Sequence, residues 1–313
     1  HETSPSILPA IKKFGIPVVQ TLHDYKLICP NTTFMSGDTI CEQCRGNRYY
    51  NVVRNRCKRG SLPASILACA EAYTHKAMGL YEKNVDLFIA PSNFLKLKVQ
   101  EYGISNEIVH LPNFIDIEDF SPHYEPENYF VFLGRLVQQK GIHTLVQAMK
   151  NIKESHLYIA GSGDLAGALQ TYVKENGLQN VTFLGHLDKE SLVPLVQRAS
   201  FIVTPSEWYE NNPMSVIEAF ASGTPAIGAN IGGIPELVID GQTGLLFEPG
   251  DAISLERCIK TLLNDRELLI RMGKNCREHV ENHNSPSIHY LRTIELYESL
   301  LSKSERITNP SLN

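Results

Sequence analysis

The stretch YFVFLGRLVQQKGIHTLVQAMK, residues 129–150, combines the two hydrophobic patterns that decide the fold. Its first five residues form a short apolar run, which is typical of a buried strand, and a helical pattern extends from Ile142 to Lys150. The loop between these two patterns carries two cations, Arg135 and Lys140. A strand, a loop and a helix in this order predict a βα unit of a parallel sheet.

The same alternation continues towards the C-terminus. Further apolar runs predict strands at 156–160, 181–184, 201–204 and 225–228. Helical patterns separate them around 165–175, near 189–198 and at 214–221. Because crossovers between parallel strands are almost always right-handed, repeated βα units predict a doubly wound α/β layer structure.

The pattern before Tyr129 is less complete. Apolar runs predict strands at 17–22, 86–90 and 107–111, with a helix at 63–81 that Ser61 is placed to cap. Three strands are few for a doubly wound domain, and the chain begins with His1 in the middle of a pattern. We therefore expect an N-terminal domain whose first part is missing.

These patterns predict a division of the chain into five segments. They are a partial N-terminal domain at 1–116 with a cysteine-bearing insertion at 29–60, a polar linker at 117–128, a second domain at 129–285, a C-terminal helix at 286–303 that crosses back to the first domain, and a tail at 304–313.

Composition excludes two classes of protein. The 313 residues are 42% hydrophobic, which is enough for two domains of ordinary size. The net charge of −5 argues against a protein that coats nucleic acid. Since no run of about 18 apolar residues occurs, the sequence predicts no transmembrane helix.

The stretch ENNPMSVIE, residues 210–218, places two carboxylates after the strand predicted at 201–204. Asn212 suits the N-cap of the next helix and Pro213 its first position, so Glu210 is expected in a loop and Glu218 inside the helix. Amides at a helix start favour an anion, and carboxylates accept hydrogen bonds from hydroxyls. This combination suits a nucleotide sugar, whereas the alternative is two solvated surface acids.

Together these motifs resemble the retaining glycosyltransferases of family 4. The resemblance implies the GT-B fold, an α/β architecture of two Rossmann-like, doubly wound domains that face a cleft, with the N-terminal domain incomplete here. It also implies that the segment 1–116 is the acceptor-side domain and the segment 129–285 the nucleotide-sugar-binding domain. It covers most of the chain and includes, besides the spacing of Glu210 and Glu218, the segments 90–94, 111–116, 132–141, 160–163, 183–186, 232–236 and 241–246.

The resemblance also implies a role for single residues. Glu210 would hold the transferred sugar, and Arg135 with Lys140 would stabilise the charge that develops on the leaving diphosphate, so that catalysis would require no metal cofactor. His23, at the end of a predicted strand, would contact the donor sugar. The predicted catalytic residues are His23, Arg135, Lys140 and Glu210. Outside the family context, the two cations suit a solvated loop and His23 a surface position.

Donor binding is expected of a second set of residues. Glu218 would accept the ribose hydroxyls, the glycines would let the backbone approach the nucleotide, and His186 would flank the base, although Gly185 also suits a simple tight turn. The predicted donor-binding residues are Gly134, Gly161, Gly163, Gly185, His186, Asn211, Asn212, Met214, Ser215 and Glu218.

The insertion at 29–60 contains four cysteines, Cys29, Cys41, Cys44 and Cys57. One short pair with two outliers is compatible with a structural zinc site, and free thiols or disulfides remain as alternatives. The same segment is basic, with no acid between Arg45 and Gly60. It suits a solvated loop, an anionic acceptor such as a lipid-linked sugar diphosphate, an anionic membrane surface or, as a third option, a zinc module for nucleic acid.

The predicted function is therefore that of a retaining, hexosyltransferase-type glycosyltransferase. The donor would be a UDP- or GDP-type sugar and the acceptor a glycan or lipid-linked molecule of cell-surface polysaccharide synthesis, with no nucleic-acid partner. We expect the protein in the cytoplasm, with the inner face of the membrane as its place of contact. The alternative is a non-catalytic scaffold of the same fold that binds sugar nucleotides or glycans.

Overall fold

The computed structural model describes residues 4–308, with side chains to residue 303. The chain divides into two compact units. The first unit contains the residues up to Pro112 and those from Ser287 onward, and the second unit is Asn113–Pro286.

The first unit is built around a small parallel sheet. Its strands are β1 (Val19–Thr21), β2 (Met35–Ser36), β3 (Thr39–Ile40), β4 (Leu87–Ala90) and β5 (Glu107–His110). Its helices before the second unit are α1 (Ile7–Lys12), α2 (Asn51–Arg54), α3 (Leu62–Met78) and α4 (Asn93–Glu101). The parallel sheet has the order β1-β4-β5, and β2 pairs with β3 in an antiparallel hairpin inside the insertion.

Helix α3 begins where its sequence predicts. Ser61 has an extended backbone and its side chain accepts a hydrogen bond from the amide of Ala64, as expected of an N-cap. The helix ends at Gly79, which adopts a left-handed conformation with φ of 61°. It therefore lies between β1 and β4 in the chain as the crossover of a βαβ unit.

The second unit alternates strands and helices throughout. Its strands are β6 (Tyr129–Leu133), β7 (His156–Ala160), β8 (Val181–Gly185), β9 (Ile202–Thr204), β10 (Ala226–Ala229) and β11 (Gly244–Phe247). Its helices are α5 (Ile142–Ala148), α6 (Ala166–Glu175), α7 (Lys189–Arg198), α8 (Met214–Ala221), α9 (Ile234–Leu237), α10 (Ala252–Asn264) and α11 (Arg266–His283). A further helix, α12 (Pro286–Thr308), follows.

The sheet of the second unit is parallel and has the order β11-β10-β9-β6-β7-β8. The chain leaves β6 in one direction through β7 and β8, and then returns to the other side of β6 through β9. This reversal makes the pair β6–β9 the topological switch point, where open α/β sheets bind their ligands beyond the carboxyl ends of the strands.

The segment predicted as a polar linker packs into the second unit. Ile115, Ile117 and Phe120 belong to the same buried apolar cluster as the strand residues Phe130 and Phe201. A short 3-10 turn at Ile117–Asp119 brings these side chains inward. The division of the chain thus falls after Pro112 rather than at the predicted boundary, because burial of this apolar set outweighs the polar character of its neighbours.

No helix in the part of the chain between residues 4 and 308 combines the length and the apolarity that a membrane span requires.

Candidate functional site

The loops that follow β6, β7 and β8 meet at one edge of the sheet of the second unit. The amide of Gly134 donates to the carbonyl of Ala160 (3.1 Å), and the amide of Gly161 donates to the carbonyl of Gly185 (2.7 Å). A Cβ atom on Gly161 would lie 1.8 Å from the carbonyl oxygen of Gly134. Glycine is therefore required at 161 by contact between two loops, in addition to its φ of 151°.

Gly163, two residues further along the chain, makes a similar close approach to the β6 loop. Its Cβ would lie 2.5 Å from the carbonyl oxygen of Leu136, and its φ is 158°. The amide of Leu136 in turn donates to the carbonyl of Ser162 (2.9 Å). The role of Gly163 in the structure is thus to bring the β6 and β7 loops together.

Two adjoining pockets lie along this edge of the second unit. The first has a volume of about 390 Å³, and the second has a volume of about 270 Å³. Both are lined by Leu133, Gly134, Arg135 and Leu192. Together they offer room for a ligand with two chemically different parts.

The pockets gather many of the predicted site residues. Those lining the first are Gly134, Arg135, Lys140, Glu210, Met214, Ser215 and Glu218. Those lining the second are Gly134, Arg135, Gly161 and His186. Four of the predicted donor-binding residues line neither of these two pockets, namely Gly163, Gly185, Asn211 and Asn212.

Glu210 is a buried carboxylate surrounded by donors. It is 6% exposed, and its Oε1 accepts hydrogen bonds from Lys140 Nζ (2.6 Å), Ser206 Oγ (2.7 Å) and Trp208 Nε1 (2.8 Å). The backbone at this point is also enclosed, since the amide of Gly233 donates to the carbonyl of Glu210 (2.7 Å). Burial of the charge is compensated by these donors, and Lys140 is held in a fixed place.

Glu218 lies in a different environment from Glu210, although only seven residues separate the two acids. It lies in α8, half-buried, and its carboxylate accepts no hydrogen bond from any residue that the structure describes. Burial raises the pKa of this carboxyl group, and the charge of Lys189 opposes that rise. A half-buried carboxylate that lines a pocket and has acceptor capacity left suits a ligand with hydroxyl groups.

Arg135 is exposed at the start of the β6 loop and lines both pockets. Because it shares the first pocket with Lys140, two cations with different geometries face the same space. A guanidinium forks to two oxygens, whereas an ammonium acts as a point charge. Such a pair is suited to a diphosphate.

The predicted cap of α8 is wrong. Pro213, with φ of −67° and ψ of 116°, is the residue that precedes the helix, and the N-terminus carries no side-chain cap. The side chain of Asn212 is used elsewhere, because its Oδ1 accepts from the amide of Asn113 (3.0 Å). Asn113 Nδ2 donates in return to the carbonyl of Asn212 (3.1 Å), so two segments far apart in sequence are joined at this point.

Several residues of the site were not predicted from the sequence. Ser206 and Trp208 donate hydrogen bonds to Glu210 in addition to Lys140. Glu207 Oε1 accepts a hydrogen bond from Thr144 Oγ1 (2.6 Å). The last contact ties the loop after β9 to α5, next to Lys140. The available signal was the composition of this loop, in which Ser206, Glu207 and Trp208 precede the first acid of the pair.

His23 lies in the first unit, two residues after the end of β1, where its side chain is exposed. It lines a pocket of about 720 Å³ together with Asp24 and Glu71. Asp24 Oδ1 accepts from the amide of Lys26 (2.8 Å), as a residue that caps a turn does. The predicted contact of His23 with the donor stays a prediction.

The zinc site predicted from the four cysteines requires correction. Cys29, Cys41, Cys44 and Cys57 are free thiols, and residues 4–308 contain no group of three or more His, Cys, Asp or Glu side chains arranged to hold a metal ion. Burial raises the pKa of Cys29, and it raises that of Cys44 to about 12. The neighbouring Cys29, Cys41 and Cys57 add to the rise at Cys44.

The parallel α/β architecture is that of the GT-B fold, and comparison with known proteins agrees on the fold. The family model described as glycosyl transferases group 1 matches residues 113–279, more than half of the chain. The protein belongs to this family, and the predicted α/β, GT-B fold class is confirmed.

Three similar proteins illustrate the relationship. A glycosyltransferase of Methanocaldococcus jannaschii is 30% identical over 62% of this chain and 54% of its own. The capsular polysaccharide biosynthesis glycosyltransferase CapM of Staphylococcus aureus is 28% identical over 77% of this chain and 63% of its own. The crystal structure of Anabaena HepE in complex with UDP-glucose matches with a TM-score of 0.71 and 20% identity, over 95% of this chain and 77% of that one.

The matched regions of the curated relatives extend over only part of those proteins. The chain spans little more than half of the first relative and 63% of the second. At 20% identity, the likeness to HepE shows the fold alone.

Proposed function

We propose that this chain is the donor-binding part of a retaining glycosyltransferase of family 4, which transfers a hexose-type sugar from a UDP- or GDP-type donor. The observation that carries the proposal is the pair of adjoining pockets, in which Arg135 and Lys140 face the same space as the carboxylate of Glu218. A nucleotide sugar supplies the matching groups, since its diphosphate needs cations and its ribose needs an acceptor.

The donor occupies both pockets in this proposal. The diphosphate lies at Arg135 and Lys140, the ribose at Glu218, and the base in the second pocket near Gly161 and His186. HepE was crystallised in complex with UDP-glucose, and this supports a UDP-type donor for a chain of the same fold.

Transfer requires stabilisation of the leaving diphosphate. Arg135 and Lys140 stabilise the negative charge that develops on it, and Glu210 holds Lys140 in place by accepting its hydrogen bond. Retention of configuration follows from attack on the face that the diphosphate leaves, with a donor phosphate oxygen assisting removal of the acceptor proton. Because the two cations neutralise the diphosphate, transfer should persist in the presence of a chelator.

The acceptor in this proposal is a glycan or a lipid-linked sugar at the inner face of the membrane. The name of CapM, which refers to capsular polysaccharide biosynthesis, supports a product of the cell surface. The basic composition of residues 45–59 supports an anionic acceptor or surface.

Titration of the full chain with UDP, GDP, UDP-glucose and GDP-mannose tests donor binding. Trp208, the single tryptophan of the sequence, donates to Glu210 and provides a fluorescence signal inside the site. Glu218→Gln should raise the Kd for the preferred nucleotide by about tenfold or more, because hydrogen bonds to a charged acceptor contribute about 1.5–3 kcal/mol. Glu190→Gln, at an exposed position of α7, is the matched control and should leave the Kd unchanged.

The pH dependence of nucleotide binding provides a second test of the role of Glu218. Its pKa is raised by burial, so lowering the pH protonates it earlier than an exposed glutamate and weakens the hold on the ribose. Nucleotide affinity should therefore rise as the pH rises through this raised pKa in the wild type, and this step should be missing in Glu218→Gln. An unchanged step in the variant would assign the titration to another group.

Turnover is tested with the donor that binds best. Release of the nucleoside diphosphate with an acceptor extract, followed by proton NMR of the product, should show the same anomeric configuration as the donor. Binding without hydrolysis or transfer would favour the non-catalytic scaffold. Failure to bind any of the four nucleotides would contradict both the glycosyltransferase proposal and the scaffold alternative.

A further inference from the structure

Helix α3 of the first unit exposes its apolar side. Along this helix, which the structure describes completely, no exposed residue is charged. The large exposed side chains range from 41% exposure for Tyr73 to 71% for Leu67, and they include Leu62, Ile66 and Met78. With 3.6 residues per turn, these five side chains lie within an arc of about 160°.

The charged residues of α3 are instead half-buried and paired. Glu71 accepts a salt bridge from Lys26 (2.7 Å), and Lys76 Nζ lies 2.6 Å from Glu82 Oε1. This is the reverse of an ordinary surface helix, which directs its charges to water and its apolar stripe inward. Contiguous exposed apolar surface of this kind marks an interaction site.

A basic segment adjoins this apolar face. Residues 45–59 contain six cations and no acid. Four of them, Arg48, Arg54, Arg56 and Arg59, are exposed and form no salt bridge with the residues that the structure describes, whereas Arg45 pairs with Glu101 (2.7 Å).

Contacts fix the basic segment on the helix. The amide of Lys58 donates to Ser65 Oγ of α3 (3.1 Å), and the ring of Tyr49 meets that of Tyr73 edge-on at 5.2 Å. The backbone of the basic segment is therefore fixed beside the apolar side of α3. We name this surface, consisting of the exposed side of α3 and residues 45–59, the basic–apolar face.

We propose that the basic–apolar face docks the first unit on a lipid bilayer with anionic headgroups. Apolar side chains enter the boundary between headgroups and acyl chains, and the neighbouring cations attract anionic lipid. The charge pattern argues for this occupant over a second copy of the chain, because a symmetric dimer through the same face would bring two basic segments together.

This inference extends the proposed function by assigning the membrane contact to a particular surface. Lipid binding requires neither donor nor turnover, so the two proposals can fail separately. A lipid-linked acceptor would reach the protein from the surface on which it is docked.

Vesicle flotation with the full chain tests the docking. The protein should bind vesicles of phosphatidylcholine mixed with phosphatidylglycerol, bind pure phosphatidylcholine more weakly, and release as salt is added. Arg54→Gln with Arg56→Gln should lower the affinity by about fivefold for each lost charge at low salt. Leu67→Glu, which places an acid on the apolar side, should lower it by about tenfold or more.

The matched control is Ile253→Glu. Ile253 is 66% exposed, similar to Leu67, but lies on α10 in the second unit. Its substitution should leave vesicle binding unchanged. Leu67→Glu should keep the circular dichroism spectrum and the thermal unfolding of the wild type, which shows that the variant is folded.

Three results would overturn the docking proposal. One is equal binding of the wild type to neutral and anionic vesicles, and another is an equal loss in Leu67→Glu and Ile253→Glu. The third is a dimer in light scattering that Leu67→Glu dissociates while vesicles are not bound, since this would assign the face to a second copy.

Discussion

Removal of the Glu210 carboxylate should destabilise the second unit strongly, because three donors share one oxygen of this side chain. In Glu210→Ala the hydroxyl of Ser206, which is fully buried, loses its acceptor at a cost of about 1–3 kcal/mol. The indole N–H of Trp208 and the partly exposed ammonium of Lys140 add about 1 kcal/mol each. We expect a total loss of about 3–5 kcal/mol in the free energy of unfolding.

Glu210→Gln separates the charge from the hydrogen bonds. The amide oxygen can still accept from Ser206 and Trp208, so that mainly the charge on the Lys140 contact is lost, and we expect a cost of about 1–2 kcal/mol. The alanine variant should therefore be clearly less stable than the glutamine variant.

Urea denaturation followed by Trp208 fluorescence measures these losses in the free energy of unfolding, since the single tryptophan donates a hydrogen bond to Glu210. Glu278→Ala, at an exposed position of α11, is the control and should change stability by less than about 0.5 kcal/mol. The reasoning about a shared buried acceptor is refuted if Glu210→Ala is no less stable than this control. A change in the m value would instead indicate an altered unfolded state or an intermediate.

Two further predictions concern a glycine and a histidine of the second unit. Gly161→Ala should abolish nucleotide binding and lower the melting temperature, because its Cβ would lie 1.8 Å from the Gly134 carbonyl oxygen; Gly167→Ala in α6 meets nothing within 4 Å and should be neutral or slightly stabilising. His279, whose pKa is lowered by burial to about 4, should make the second unit sensitive to acid. Between pH 4 and 6.5 the unfolded chain binds more protons than the folded one, so stability falls as the pH falls, by up to about 3 kcal/mol, and urea denaturation of His279→Phe across this range should show a smaller slope. An identical slope in wild type and variant would assign the acid sensitivity to other groups.

Elements with a strong local pattern were predicted correctly. The bounds of β6, α7 and α8 agree with the prediction, because each has a continuous apolar run or a clear helical period. Strand β11 was not predicted, since its four residues follow a glycine-rich turn and give little periodic signal. Parallel alternation was sufficient for the fold class, and the strand order that creates the switch point at β6 and β9 follows from it only in the folded chain.

Contacts between distant segments could not be predicted from the sequence. Asn212 carries the signature of an N-cap, yet Asn113, which lies 99 positions earlier, takes its side chain in the folded chain. The cysteines of the insertion show the same limit, because their spacing suggests ligands whereas their placement leaves free thiols. For Asn212, a residue type that suits two local uses is assigned by a partner that the local pattern does not contain.

The two acids of the stretch at 210–218 illustrate how placement divides roles between like residues. Oxygen Oε1 of Glu210 is occupied by protein donors, whereas the carboxylate of Glu218 accepts from none of the residues that the structure describes. In the proposed donor complex, the carboxylate that binds Lys140 would act on the diphosphate through that cation, and the carboxylate left to the pocket would act on the ligand directly. Under the proposed function, substitution of Glu210 should therefore lower kcat through a misplaced Lys140, while substitution of Glu218 should act mainly on donor affinity. In this proposal, the spacing that first identifies the pair joins one residue that positions a cation with another that binds the donor.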